Sequence, residues 1–101
     1  MSISFWPAVQ QLAGGTSGAH ATIARDSQWT IVAIDTSAAS SHVYVDLPTG
    51  AEVGDVVEVH DLPGGSAAQI TPPPGETLAQ GTPNGLRLFR KIDASLWSTI
   101  G

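Results

Sequence analysis

The chain has 101 residues, is 42% apolar and only 13% charged, and sets nine Asp and Glu against four Lys and Arg. That length fits one domain with one modest core, and a charged fraction well below the roughly 25% of ordinary soluble domains leaves less solvated surface than usual. The acidic balance argues against nucleic acid as a partner, the absence of cysteine removes disulfides and Cys-type zinc sites, and no run nears the ~18 apolar residues of a membrane span.

Residues 1–18 read as an arm and hinge. Pro7 suits the first turn of a short helix, with Phe5, Val9 and Leu12 along one side. Gly14-Gly15-Thr16-Ser17-Gly18 then reads as a flexible hinge. A helix this short is marginal in water, so Phe5 and Trp6 need a cover, and Trp6 is a candidate intermolecular anchor. The opening residues lack the basic region and long apolar core of a secretory signal.

Residues 19–101 read as a β domain. Residues 19–25 form a weak strand pattern. Trp29 to Asp35 forms a stronger one, apolar on both faces, as for a strand buried on both sides. From Val43 to Leu47 the apolar residues alternate with His42, Tyr44 and Asp46, the period of a half-buried strand. Pro48, Gly50 and Gly54 break that run. Asp55 to Asp61 follows as a second strand with Val57 and Val59 on one face, and Gln69 to Thr71 as a short third; together they read as a meander. Residues 76–85 read as an irregular loop, Leu86 to Asp93 as a strand, Asp93 to Ser95 as a turn, and Leu96 to Ile100 as a closing strand. Roughly six or seven short strands at this spacing predict an all-β fold, an antiparallel β-sandwich or jelly-roll-like barrel, with no internal repeat.

The residues that could carry chemistry do not assemble into a familiar site. His20, His42 and His60 lie on different elements, without the spacing that sets two ligands on one face. The carboxylate pairs Asp55 with Glu58 and Asp46 with Glu52 read as strand ends and turns; i and i+3 on a strand point to opposite faces. Ser66 lacks the strand–turn–helix context of a nucleophile elbow, and the glycines before Gly18 lack a phosphate-loop lysine. No catalytic residue, metal ligand or cofactor is therefore expected. Trp29 and Trp97, on strands, are candidates for stacking on a sugar ring or for the edge of a core. The expected interface residues are Phe5, Trp6, Val9, Leu12 and Trp29, and the excess of apolar over charged residues predicts self-association.

Val45 to Pro48, Gly54 to Val59, Ile70 to Thr77 and Leu96 to Ile100 together give the order V-x-L-P, G-D-V-V-E-V, I-T-P-P-x-G-E-T and L-W-S-T-I. This order resembles a module of tailed-bacteriophage virion proteins, found in tail fibres, head fibres and small capsid decoration proteins. The resemblance spans about residues 40–101 and implies a structural virion part, commonly an intertwined trimer. Without a shaft or heptads, the chain suits a capsid decoration (cement) protein. That implies itself (as a homotrimer) and the major capsid protein as partners, and a place on the outer capsid surface. The alternative it implies is a fibre-tip or receptor-binding subunit recognising host-surface carbohydrate.

Overall fold

The structure, a computed structural model, describes residues 9–39, 43–63, 68–79 and 87–100. Every regular element in them is a strand: β1 (Val9–Ala13), β2 (His20–Thr22), β3 (Trp29–Asp35), β4 (Tyr44–Asp46), β5 (Val56–Asp61), β6 (Gln69–Thr71), β7 (Thr77–Ala79), β8 (Arg87–Asp93) and β9 (Leu96–Ile100). The fold is all-β, as the alternating patterns predict. A six-stranded sheet has the order β1-β3-β5-β8-β9-β7, and a three-stranded sheet the order β2-β4-β6.

The pairing departs from the sequence reading. The first six strands alternate between the two sheets, and each of the first four pairs in parallel with the strand two places on in the chain: β1 with β3, β3 with β5, β2 with β4, and β4 with β6. The chain thus winds as a coil, with successive turns stacked in register. Val9 lies beside Ile31, Trp29 beside Val56 and Tyr44 beside Gln69, spacings typical of solenoid repeats. A repeat therefore exists, carried by topology and not by recurring residues. The meander read over β4, β5 and β6 is replaced by this winding: β5 leaves for the large sheet, and β4 and β6 lie side by side. Antiparallel pairing is confined to β5 with β8 and the β8–β9 hairpin, which continue the large sheet. This is not the antiparallel order of a jelly roll.

Two further readings are corrected. Residues 9–13 are a strand, not the end of a helix, because β3 offers their backbone groups a ladder that an isolated turn of helix cannot match. Gly14 is not a loose hinge: its N–H donates to Asp35 O at 2.7 Å, and an added Cβ would sit 3.0 Å from Val43 Cγ2. The arm read over residues 1–18 thus includes a strand of the large sheet; Phe5 and Trp6 lie outside the described residues. Thr77 to Ala79, within the predicted loop, forms β7 along β9.

One core joins both sheets. Val32, Ile34, Val57, Val59, Phe89 and Trp97 come from the large sheet, and Val45 and Ile70 from the small one. In β5 the alternation holds as read, with Val57 and Val59 buried and Val56, Glu58 and His60 on the other face. Trp97 has no exposed surface, so it is a core residue and unavailable to a ligand. Its indole N–H donates to Glu76 Oε1 at 2.9 Å, satisfying its only polar atom.

Charged residues tie the loops at the rim of this core. Asp55, only 3% exposed, receives Arg25 Nη2 at 3.2 Å on one oxygen, and Arg25 Nε and the Glu52 N–H on the other. The hydrogen bond from Arg25 holds the Asp55 carboxyl below its usual range despite burial, which pulls the other way. Lys91 is also buried; its Nζ donates to Ala51 O at 3.0 Å and pairs with Glu76 at 3.1 Å. Gly54, at φ 99°, turns the chain into β5 in a conformation that an L side chain rarely adopts.

Candidate interface on the large sheet

Strand register decides which side chains leave the core. Across the large sheet, Val9 lies beside Ile31, Ile31 beside Glu58, Glu58 beside Leu88 and Leu88 beside Ile100. The next outward row runs Trp29, Val56, Arg90 and Ser98. Side chains at alternate positions share a face, so these two rows form one outward surface. Val9, Trp29, Ile31, Val56, Leu88 and Ile100 make it largely apolar, with Glu58 and Arg90 among them. Trp29 is 43% exposed and Val9 51%, and a shallow depression lies among Trp29, Val56, Leu88, Arg90 and Ile100. Apart from Glu58 and Arg90 the face is apolar, which makes it a candidate docking surface.

Of the residues expected at an interface, Val9 and Trp29 fall together here. Leu12 does not: three positions after Val9 on a strand, it faces inward and packs against the core. Ile31, Val56, Leu88 and Ile100 were not singled out from sequence. Their signal was the run of β3 that is apolar on both faces, which says that an outward side exists without saying which strands share it.

The outward face of the small sheet has the opposite character. One row is His20, Tyr44 and Gln69, the other Thr22, Asp46 and Thr71. The His20 and Tyr44 rings stack with centroids 4.6 Å apart, and His20 Nδ1 donates to Asp46 Oδ1 at 2.9 Å. Thr71 Oγ1 donates to the same carboxylate oxygen. Burial raises the Asp46 pKa, but the bonds from Thr71 and His20 outweigh it and leave the group below the usual range. His20 and Asp46, separate candidates in the sequence, are thus brought into contact across a sheet.

The remaining candidates are dispersed. His60 Nε2 meets Glu58 Oε2 on the large sheet, Asp55 is stapled to Arg25, Glu52 is exposed beside Arg25 at 3.5 Å, and His42 and Ser66 lie outside the described residues. Among the described residues no group of three or more His, Cys, Asp or Glu is placed to hold a metal ion. The chain matches no family model, no curated protein and no solved structure.

Proposed function

We propose that this chain is a structural protein of a bacteriophage virion, a capsid decoration protein that binds the outer capsid surface through the apolar outward face of its large sheet and stabilises the shell. The observation that carries this reading is that face: Val9, Trp29, Ile31, Val56, Leu88 and Ile100 on one rigid, hydrogen-bonded platform. Fully burying an exposed side chain of this size is worth roughly 1.5–3 kcal/mol, and these side chains, half-buried or about half exposed already, each gain part of that on contact. A sheet also holds them in place before contact, so little ordering cost is added on docking. The resemblance of residues 40–101 to virion modules supplies the partner class and a homotrimeric state, the strand count and turn spacing supply the β-sandwich reading, and no catalytic role is assigned to any residue.

The alternative, a receptor-binding subunit at a fibre tip, draws on the small sheet's outward face, where the stacked His20 and Tyr44 rings and the Asp46 carboxylate offer ring and hydrogen-bonding surface to a sugar.

Location separates the two. Electron-microscopy reconstruction of the parent particle is expected to show many copies spread over the capsid, with the Trp29 face against the shell. A few copies at the tail would replace the first reading with the second. Light scattering coupled to size exclusion is expected to report three times the 10.4 kDa monomer mass, and a monomer at micromolar concentration would remove the trimer.

A further inference from the structure

The two sheets are unequal, and the difference leaves a strand-sized space. The large sheet continues past β5 with β8, β9 and β7, whereas the small sheet stops at β6. The inward faces of β7, β8 and β9 beyond β6 are therefore left without a covering strand among the described residues. A cleft of about 640 Å³ lies there, bordered by Ile70 and Thr71 on one side and by Leu78, Arg87, Phe89 and Thr99 on the other.

The backbone of β6 is set up for another strand. Gln69 N donates to Val43 O and Thr71 O accepts from Leu47 N, so both residues turn toward β4. Lateral direction alternates along a strand, which turns the N–H and C=O of Ile70 into the cleft. The flanking position on that edge is already filled: Ala68 N donates to Asp61 Oδ1 at 3.1 Å, and Ala68 O accepts from Arg87. Pro72 has no N–H to offer. The charges around the cleft have partners too, Arg87 with Asp61 and Glu76 with Lys91 and Trp97. The space therefore suits a short, uncharged strand with apolar side chains on alternate positions.

We propose that residues 2–8 of a second copy of this chain fill the cleft as an added strand beside β6. Ser2-Ile3-Ser4-Phe5-Trp6-Pro7-Ala8 carries no charge, alternates Ile3 and Phe5 with serines, and reaches a proline that ends strand pairing. The chain's own copy of this segment is poorly placed. It joins β1 at Val9, three strands from β8 in the large sheet, so it must span about 14 Å laterally and about 10 Å between sheets before pairing. Seven extended residues reach about 23–25 Å, which leaves about two for the cleft. Residues 80–86, Gln-Gly-Thr-Pro-Asn-Gly-Leu, are closer in the chain but broken by two glycines and a proline. A second copy has neither limit. Each copy gives one segment and receives one, so copies join through identical contacts. This concerns how copies join and does not rest on the virion reading.

The lack of native cysteine makes disulfide trapping clean. Ile3→Cys, Ser4→Cys and Phe5→Cys proteins are each mixed with a Thr99→Cys protein and oxidised; scanning three positions tolerates a register shift. At least one pair is expected to give a disulfide-linked species of twice the monomer mass, lost when excess peptide of residues 2–8 is present. The same arm variants mixed with Ser37→Cys, exposed after the far end of β3, are expected to give none. No linked species with Thr99→Cys, equal yield with Ser37→Cys, or persistence in excess peptide overturns the proposal. So does a bridge formed within one chain of the Ile3→Cys/Thr99→Cys double variant at high dilution.

Discussion

The outward faces of the two sheets are built alike and finished differently. Both are rows of cross-strand neighbours, held by parallel ladders on the small sheet and by parallel and antiparallel ladders on the large one. On the small sheet, Asp46 accepts from His20 and Thr71, and the His20 ring lies on Tyr44, so the side chains satisfy one another. On the large sheet Trp29, Ile31, Val56, Leu88 and Ile100 have no such partners to find, because they carry nothing that bonds beyond the Trp29 indole N–H. A polar row in water is near its best state already, whereas an apolar row gains free energy whenever a second surface removes it from water. On the proposed reading, docking therefore falls to the large sheet and the small sheet stays free.

The sharpest way to break this contrast is Trp29→Ala. Large aromatic side chains at the centre of an interface carry about 2–4 kcal/mol of binding when truncated, so capsid binding is expected to weaken roughly 30- to 1,000-fold. Because Trp29 is 43% exposed, the free protein is expected to keep its circular dichroism and most of its stability. Binding to undecorated capsids, measured beside a urea titration, checks both. Unchanged binding would move docking off this face.

A smaller effect separates stability from docking. Asp55 lies at the rim of the core, away from both faces, and its pKa is depressed by Arg25. A carboxyl with a depressed folded-state pKa contributes stability that is present above its unfolded value, about pH 4, and is lost as pH falls through the folded value. Asp55→Asn is expected to cost about 2–3 kcal/mol at neutral pH, less than a fully buried pair because Arg25 keeps some contact with water. It is also expected to flatten the acid limb of the stability curve below pH 4, measured by urea unfolding across pH. Capsid affinity of the folded fraction should be unchanged.

What could be read from the residues follows the range of the forces involved. Strand positions are local: the alternation of Val43, Val45 and Leu47, or of Val57 and Val59, appears within a few residues and was legible, as were the turns at Pro48, Gly50 and Gly54. Pairing is not local. A winding that sets Trp29 beside Val56 depends on contacts between residues far apart in the chain, and no recurring residue marks its turns. β1 was misread because Val9 and Leu12 suit a helix face at i and i+3, whereas on a strand the same spacing sends one outward and the other into the core. β7 was missed because three residues between Pro74-Gly75 and Gly81-Thr82-Pro83 carry no period; β9 makes it a strand. The apolar face was half legible, in the two-sided pattern of β3. His20 and Asp46 were legible as residues but not as neighbours.

The smallest expected effect tests the other half of the contrast. If the small sheet's polar rows are self-satisfied and idle in docking, removing one member should be felt only locally. His20→Ala removes one bond to Asp46 and the ring stacked on Tyr44, but Thr71 still bonds the carboxylate, so Asp46 is not left without a partner. Cross-strand pairs of this kind contribute about 0.2–1 kcal/mol, and both His20 and its site are open to water. The expected result is a stability loss within that range by urea unfolding, with capsid affinity unchanged. The sign of a departure is informative. A loss of several kcal/mol would make the polar rows part of the structural frame, and a drop in capsid binding would give the small sheet a share of the contact. Retained capsid binding together with lost binding to an oligosaccharide would instead place a second recognition surface on the His20–Tyr44 row.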